Sequence, residues 1–181
     1  GARKADETKP APRVRRALND LAGAAGDTIF VVDSRQHIGQ FQAMVLKPNW
    51  AEALAVTAPD LDPRQVEPET ICESGMSLSA RTSLPVFVTL SADGVMVCEG
   101  EGCRPIAAGP VHPPLDPVGA GDTFIAALTG SLAAGASPEE AGAVANLAAS
   151  ITVEKLNITG TASPDEILDR YARDRQGRNT L

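Results

Sequence analysis

Apolar and polar positions along the chain predict strands and helices in alternation. The runs 28–32 and 86–90 are continuously apolar and rich in β-branched residues, which is typical of strands covered on both faces of a sheet. Ala92-Asp93-Gly94 has turn chemistry, so residues 85–98 are expected to form a hairpin. The predicted strands lie at 28–32, 44–46, 86–90, 95–98 and near 104–108.

Helical spacing accounts for most of the other apolar residues. Phe124, Leu128 and Leu132 fall on one stripe of a helix predicted over 121–134. Ser137 and Ser163 are each predicted to be the N-cap of a helix. Each serine is followed directly by a proline and, two residues after the proline, by a glutamate, a strong signal for the start of a helix. Further helices are expected from Arg13, at 50–56 and at 68–81. Helices alternating with apolar strands indicate an α/β layered fold, preceded by a flexible segment at 1–12.

The composition narrows the possible partners. The chain has 181 residues, which fits one domain, and a formal net charge of −7. The acidic balance argues against a general polyphosphate binder, and an aromatic content of 3% argues against a stacking surface for single-stranded nucleic acid. The longest charge-free stretch, 123–138, has 16 residues and falls short of the ~20 that span a bilayer. We therefore expect a cytoplasmic protein with neither nucleic acid nor membrane as a partner.

Three cysteines, Cys72, Cys98 and Cys103, form an odd set. Such a set suits a reducing compartment better than a disulfide framework. A structural metal site takes about four ligands, and the two histidines lie far from these cysteines in the sequence. We therefore expect the cysteines to form neither a disulfide scaffold nor a metal site.

The segment from Asp116 to Phe124, with sequence DPVGAGDTF, carries the clearest chemistry. Its glycines allow a ligand to approach the backbone closely, and the first N–H groups of the helix that follows have no internal partner. Together with the helix dipole they predict an anion site, most naturally for phosphate. Asp122 could accept the proton of a hydroxyl that attacks phosphorus. On spacing alone, an acid that merely complements the helix dipole is an equal alternative.

The whole segment resembles the C-terminal signature of the ribokinase-like (PfkB) carbohydrate kinase family. Three other motifs occur along the chain, and all four motifs are in the same order as in the family. Asn49-Trp-Ala-Glu52 is similar to its N-x-x-E motif, Thr89-Leu-Ser-Ala-Asp-Gly94 resembles its T-L-G-x-x-G nucleotide loop, and Asn146 matches its asparagine beside the adenine. The resemblance covers residues 13 to 170. Within the family, Val32-Asp-Ser-Arg35, Leu46-Lys-Pro-Asn49 and 159–164 look most like heptose-phosphate kinases.

The resemblance implies an α/β fold in which residues 13–181 form the C-terminal portion of a three-layer ribokinase-like domain. It also implies transfer of the γ-phosphoryl group of ATP to a hydroxyl of a sugar or sugar phosphate. The resemblance implies that Asp122 is the catalytic base and that Gly119, Ala120 and Gly121 form an anion hole. It implies that Asn49 and Glu52 position Mg²⁺, and that nucleotide binding involves Asn49, Glu52, Thr89, Ser91, Gly94 and Asn146. It also implies a monovalent cation such as K⁺ at Asp116 and the carbonyl of Val118.

Each motif also has a purely structural interpretation. Asn49 could simply cap the helix that follows, with Glu52 as an ordinary first-turn acid. Residues 89–94 could be no more than a hairpin turn, and Asn146 could be a plain surface residue. Yet an amide and a carboxylate three residues apart lie on one helix face, an arrangement suited to holding the water shell of Mg²⁺.

The sequence departs from the family's pattern in two glycine positions and in length. Ser91 and Asn157 stand where the family has glycine, and asparagine tolerates a positive φ. The family's first half, which supplies the di-glycine motif, most sugar-binding residues and a small lid sheet, is not found before residue 28. The alternatives are therefore a sugar kinase whose nucleotide half is this chain, inactive in isolation, or a nucleotide-binding or structural module without catalysis. A sugar-binding half or a second copy are the partners that the resemblance implies.

Overall fold

A computed structural model describes residues 12–62 and 66–178. Its elements follow the predicted alternation of helices and strands. The helices are α1 Pro12–Ala24, α2 Trp50–Thr57, α3 Pro68–Thr82, α4 Ala120–Ala133, α5 Pro138–Val153 and α6 Pro164–Arg178, and the strands are β1 Val31–Val32, β2 Val45–Leu46, β3 Val86–Thr89, β4 Val95–Glu99 and β5 Gly102–Ile106.

The five strands form one sheet in the order β1-β2-β3-β4-β5. The first three strands are parallel, whereas β4 and β5 return antiparallel. The predicted hairpin is confirmed, because Val86 pairs with Cys98 and Thr89 pairs with Val95. Parallel strands need a crossover to return in the same direction, and α2 and α3 supply it between β2 and β3.

Alternation along the strands separates two hydrophobic cores and confirms an arrangement of three layers. Val86 and Val88 point to the core shared with α2 and α3, whereas Phe87 points to the core shared with α4 and α5. Neighbouring side chains of a strand face opposite sides of a sheet. Phe87 is fully buried, a burial that contributes about 1.5–3 kcal/mol.

The first strand is shorter and less covered than its sequence predicts. Only Val31 and Val32 pair as a strand, both are half-buried, and Ile29 is exposed. The physical reason is position, since β1 is an edge of the sheet within this chain. At the amino end, α1 begins at Pro12, inside the segment predicted to be flexible, and residues 1–11 lie outside the described residues.

The expectation that the cysteines form no disulfide framework was wrong for two of the three residues. Cys72 of α3 and Cys103 of β5 form a disulfide with a Cα–Cα distance of 5.7 Å, and Cys98 is a buried free thiol. Cys72 and Cys103 are 31 residues apart, so their proximity depends on how α3 packs across β5 and no local pattern reveals it. Among the described helices, none combines the length and apolar character needed to cross a bilayer.

Candidate phosphoryl-transfer and nucleotide site

The carboxyl ends of β2 and β3 bring two of the predicted site residues together. The Thr89 amide donates to the carbonyl of Pro48 at 2.9 Å, and Asn49, which follows β2, forms a parallel bridge with Thr89, the last residue of β3. In open α/β sheets, ligands bind at the carboxyl ends of the strands. Asn49 and Thr89 therefore stand at the edge where a ligand is expected.

Asn49 caps α2, as its structural interpretation predicts. The Asn49 side chain accepts a hydrogen bond from the Glu52 amide at 2.8 Å, and the Glu52 Oε2 atom accepts one from the Asn49 amide at 2.9 Å. This reciprocal capping box fixes both side chains at the start of the helix. The same contacts hold an amide and a carboxylate side by side at the carboxyl edge of the sheet.

The loop after β3 adopts a conformation in which one position requires glycine. Gly94 has φ of +100°, and a Cβ there would overlap the carbonyl oxygen of Ile106. Its own carbonyl accepts from the Leu90 amide at 2.8 Å, which closes the loop. Ser91, at the position where the family has glycine, has φ of 58° and so adopts the left-handed conformation that glycine favours. Asn157 does the same, with φ of 59°, as predicted.

Asn146 is buried in α5, so its interpretation as a plain surface residue was wrong. Its Nδ2 atom donates to the carbonyl oxygens of Ile106, at 2.9 Å, and Ala107, at 3.4 Å. The chain leaving β5 is therefore held between Asn146 on one side and Gly94 on the other. Two of the predicted nucleotide-binding residues thus meet on one short backbone segment.

The glycine segment forms the start of α4, as predicted, with one amide already engaged. Gly119 is the N-cap with φ of 85°, and a Cβ there would lie 3.0 Å from the Gly160 carbonyl oxygen. The Ala120 amide donates to Pro117 at 3.2 Å. Apart from its two neighbours in the chain and the backbone of its own helix, no described residue lies within 4 Å of a Cβ placed on Gly121. The helix start is therefore open on the side of Gly121.

Asp122 lies exposed in the first turn of α4. No ion pair among residues 12–62 and 66–178 involves its carboxylate. The next residue anchors the turn, because the Thr123 hydroxyl donates to Gly160 at 3.4 Å and receives the Thr152 hydroxyl at 3.0 Å. The carboxylate is thus accessible on a backbone that its neighbours hold in place.

Asp116 lies in the loop that leads from β5 into this helix start. Its amide donates to the Val153 carbonyl at 2.7 Å, and its Oδ1 atom accepts from the Val118 amide at 3.0 Å. The two residues assigned to a monovalent cation are therefore adjacent in space. Within the described part of the chain, no group of three or more His, Cys, Asp and Glu is arranged to hold a metal ion.

Sequence reasoning assigned no role to Lys47, which is buried at the end of β2. Its Nζ atom lies 2.9 Å from Asp33 Oδ2 and 5.8 Å from the centre of the Phe124 ring. Phe124 is two residues beyond Asp122, so Lys47 connects the carboxyl edge of the sheet to the start of α4. Its sequence signal is a lysine at the end of an apolar run, directly before Pro48 and Asn49.

A second cluster of side chains without a predicted role, centred on Arg170, contacts the loop before Asp116. Arg170 of α6 is buried, forms an ion pair with Glu154, and donates to the carbonyl of Pro110 and the hydroxyl of Ser150, each at 3.3 Å. Partial burial raises the pKa of Glu154, but hydrogen bonds from His112 and Arg170 outweigh it and lower that pKa overall. The cluster ties the loop before Asp116 to α5 and α6.

Comparison with known proteins identifies the family of this site. The model of the pfkB family of carbohydrate kinases matches residues 14–165. The chain belongs to this family. It is 37% identical over 160 residues to the bifunctional protein HldE of Aeromonas salmonicida strain A449, an alignment that covers 83% of the chain and 32% of that relative.

Solved structures show the same fold. Phosphofructokinase-2 from Escherichia coli in complex with potassium superposes with a TM-score of 0.72 at 25% identity, over 87% of this chain and 52% of that one. Ribokinase from Thermotoga maritima gives a TM-score of 0.70 at 20% identity, over 87% and 53%. The ribokinase-like fold is therefore confirmed, and the chain spans about a third of the curated relative and about half of these kinases.

Proposed function

We propose that the chain carries the nucleotide site, anion hole and catalytic base of a kinase that transfers the γ-phosphoryl group of ATP to a hydroxyl of a sugar or sugar phosphate. The observation that carries this proposal is the open start of α4, where Gly121 has free space beside the exposed carboxylate of Asp122. Membership of the pfkB family supports the reaction class.

The amides at the start of α4 are suited to an anion. The first N–H groups of a helix point out of its end, where the dipole favours negative charge. In this proposal the amides of Gly119 and Gly121 are the main donors, because the Ala120 amide hydrogen already bonds to the carbonyl oxygen of Pro117. Donors fixed before the reaction stabilise the charge on the transferring phosphoryl group without rearrangement.

Asp122 is the proposed general base. A carboxylate beside a phosphate site is repelled by its ligand, so an acid there needs a purpose beyond helix stability. Accepting the proton of the attacking sugar hydroxyl is such a purpose. Its exposure leaves it accessible to a substrate held by residues outside this chain.

The nucleotide is assigned to the loop after β3, at the carboxyl edge of the sheet. Thr89, Ser91 and Gly94 line the loop after β3, and Asn146 lies across the segment 106–107 from it. The tight packing at Gly94 gives this loop one shape. We propose that this shape, rather than any single strong contact, positions the ATP.

The chemistry of the side chains fits two cations. Mg²⁺ favours a few oxygen ligands and retains several waters, and the capping box holds Asn49 and Glu52 in fixed positions where their oxygens can accept from those waters. When bound, Mg²⁺ neutralises charge on the phosphates. Asp116 and the Val118 carbonyl are the proposed K⁺ ligands, and the hydrogen bond from the Val118 amide to Asp116 keeps the two residues close together.

The proposed substrate class is a heptose phosphate. The motifs at 32–35, 46–49 and 159–164 and the relatives named HldE support it. A homodimer, or pairing with a sugar-binding half, also remains a proposal. The cytoplasmic location remains a prediction, and the Cys72–Cys103 disulfide argues against a strongly reducing compartment.

The decisive experiment replaces Asp122 by Asn. Sugar-dependent ADP release is measured on the kinase completed by a sugar-binding half, and Mg·ATP binding on the 181-residue chain. Loss of a general base lowers turnover by about 10²–10⁴-fold, whereas ATP binding changes little. Asp165→Asn is the matched control, since it removes a first-turn acid from α6 instead. Equal turnover in both variants would assign Asp122 to the helix dipole alone.

A nucleotide-binding module without catalysis is the second candidate. It concerns the 181-residue chain by itself, which spans about half the length of these solved kinases. For the 181-residue chain by itself we expect ATP binding with negligible turnover. Rapid sugar-dependent ADP release from the pure chain would contradict this expectation.

A further inference from the structure

Three sulfur atoms meet between α3 and the hairpin of β4 and β5. The Cys98 Sγ atom lies 3.2 Å from Cys103 Sγ, which is itself bonded to Cys72. Cys98 and Cys103 are directly opposite each other in the register of β4 and β5. The free thiol is therefore positioned beside one end of an existing disulfide.

The packing holds Cys98 in this place. A Cβ on Gly75, one turn along α3 from Cys72, would overlap the Cys98 sulfur. Glycine at this position leaves the space that the sulfur occupies. The arrangement thus involves residues of α3, β4 and β5. The relevant contact joins the sulfur atoms of Cys98 and Cys103, and it does not depend on the orientation of the thiol hydrogen.

We propose that Cys72, Cys98 and Cys103 form an internal thiol–disulfide exchange unit. The thiolate of Cys98 attacks Cys103 Sγ, so that the Cys98–Cys103 bond forms and the Cys72–Cys103 bond breaks. Cys72 leaves as a thiolate and takes up the proton that Cys98 gave up. One disulfide replaces another, and neither an oxidant nor a reductant is consumed.

Both linkages satisfy the geometry of a disulfide. Directly opposed residues of an antiparallel pair have Cα atoms about 4.5–5.5 Å apart, which lies within the range that a disulfide spans. The present linkage, Cys72–Cys103, spans a Cα–Cα distance of 5.7 Å. Exchange therefore requires little movement of the backbone.

Exchange moves the covalent link from between two layers to within the hairpin. In the present state the bond ties α3 to the edge strand β5, whose far end passes into the segment held by Gly94 and Asn146. After exchange the bond joins only β4 and β5, and α3 is released from that strand. Burial raises the pKa of Cys98 to about 12, so the thiol is protonated at neutral pH and the exchange is slow there.

The test follows release of Cys72 in the absence of any added thiol. The oxidised chain is incubated with an alkylating reagent at about pH 8.5, where an ordinary thiol is half ionised, so that a released Cys72 is captured. Cleavage after glutamate puts the three sulfurs in separate peptides, because Glu73 lies between Cys72 and Cys98 and Glu99 lies between Cys98 and Cys103. Mass spectrometry then reads which pair is linked.

We expect alkylated Cys72 to accumulate together with the linked Cys98–Cys103 peptide pair. The rate should not depend on protein concentration, because the attack is internal. In Cys98→Ser, alkylation of Cys72 should be at least about tenfold slower, because only the attacking sulfur is gone. Cys98→Ser has no free thiol, so its disulfide protects Cys72 covalently whether or not the chain partly unfolds.

Two results would overturn the proposal. One is a Cys72 that stays unmodified in the unaltered chain, and the other is equal alkylation of Cys72 in Cys98→Ser. Cys72→Ser tests the new linkage separately. In a glutathione redox buffer it should form the Cys98–Cys103 disulfide, and two free thiols in this folded variant would refute the geometry.

Discussion

Gly121 offers a perturbation that separates the proposed anion site from the stability of the fold. It lies in the first turn of α4, and a Cβ added there meets nothing within 4 Å among the described residues. Gly121→Ala therefore adds a methyl group to the proposed phosphate space without a clash in the folded chain.

Gly121→Ala is expected to raise the stability of the fold and to weaken the binding of Mg·ATP. Alanine is more favourable than glycine in a helix by about 0.5–1 kcal/mol, and for a chain of this size each kcal/mol raises Tm by about 2–4 °C. A methyl group that keeps a phosphate from the amides should weaken Mg·ATP binding at least about tenfold, equivalent to about 1.4 kcal/mol. The variant is thus expected to be more stable and to bind less.

Gly130→Ala is the matched control, because Gly130 is also in α4 and also has free space for a Cβ. Thermal unfolding and calorimetric titration with Mg·ATP are measured for the unaltered chain and both variants. The control should gain the same stability and keep the same affinity. If Gly121→Ala binds Mg·ATP as tightly as the control does, the ligand does not occupy the start of α4 and the proposed site is refuted.

Three further predictions concern the supporting structure. Asn146→Leu should cost about 1–3 kcal/mol in urea unfolding, because two backbone carbonyls lose their donor; an unchanged midpoint would contradict this. Ser91→Gly should raise the stability by about 1 kcal/mol, since serine with φ of 58° is strained, and a lower Tm would disprove the strain. A hydrogen bond from Lys155, followed by those from Ser163, lowers the pKa of Glu166 to about 2. This stabilisation is present above the ordinary pKa of 4.5 and is lost as pH falls from there towards 2, so Glu166→Gln should flatten the acid limb of the stability curve; parallel curves would refute it.

Local patterns in the sequence were sufficient to predict the order of the elements. The hairpin at 85–98, the helix starts at Ser137 and Ser163 and the glycine segment before Asp122 are all encoded by neighbouring residues. The resemblance of four ordered motifs then gave the family, which the comparison confirms.

Which distant side chains meet depends on how the elements pack together. The Cys72–Cys103 bond, the Lys47–Asp33 pair and the burial of Asn146 each depend on packing between elements far apart in the sequence. Helical and strand periodicity assign a residue to a face but do not say which other element covers that face. For the same reason the sequence could not show that the Ala120 amide donates to Pro117, because that contact depends on the path of the turn before α4.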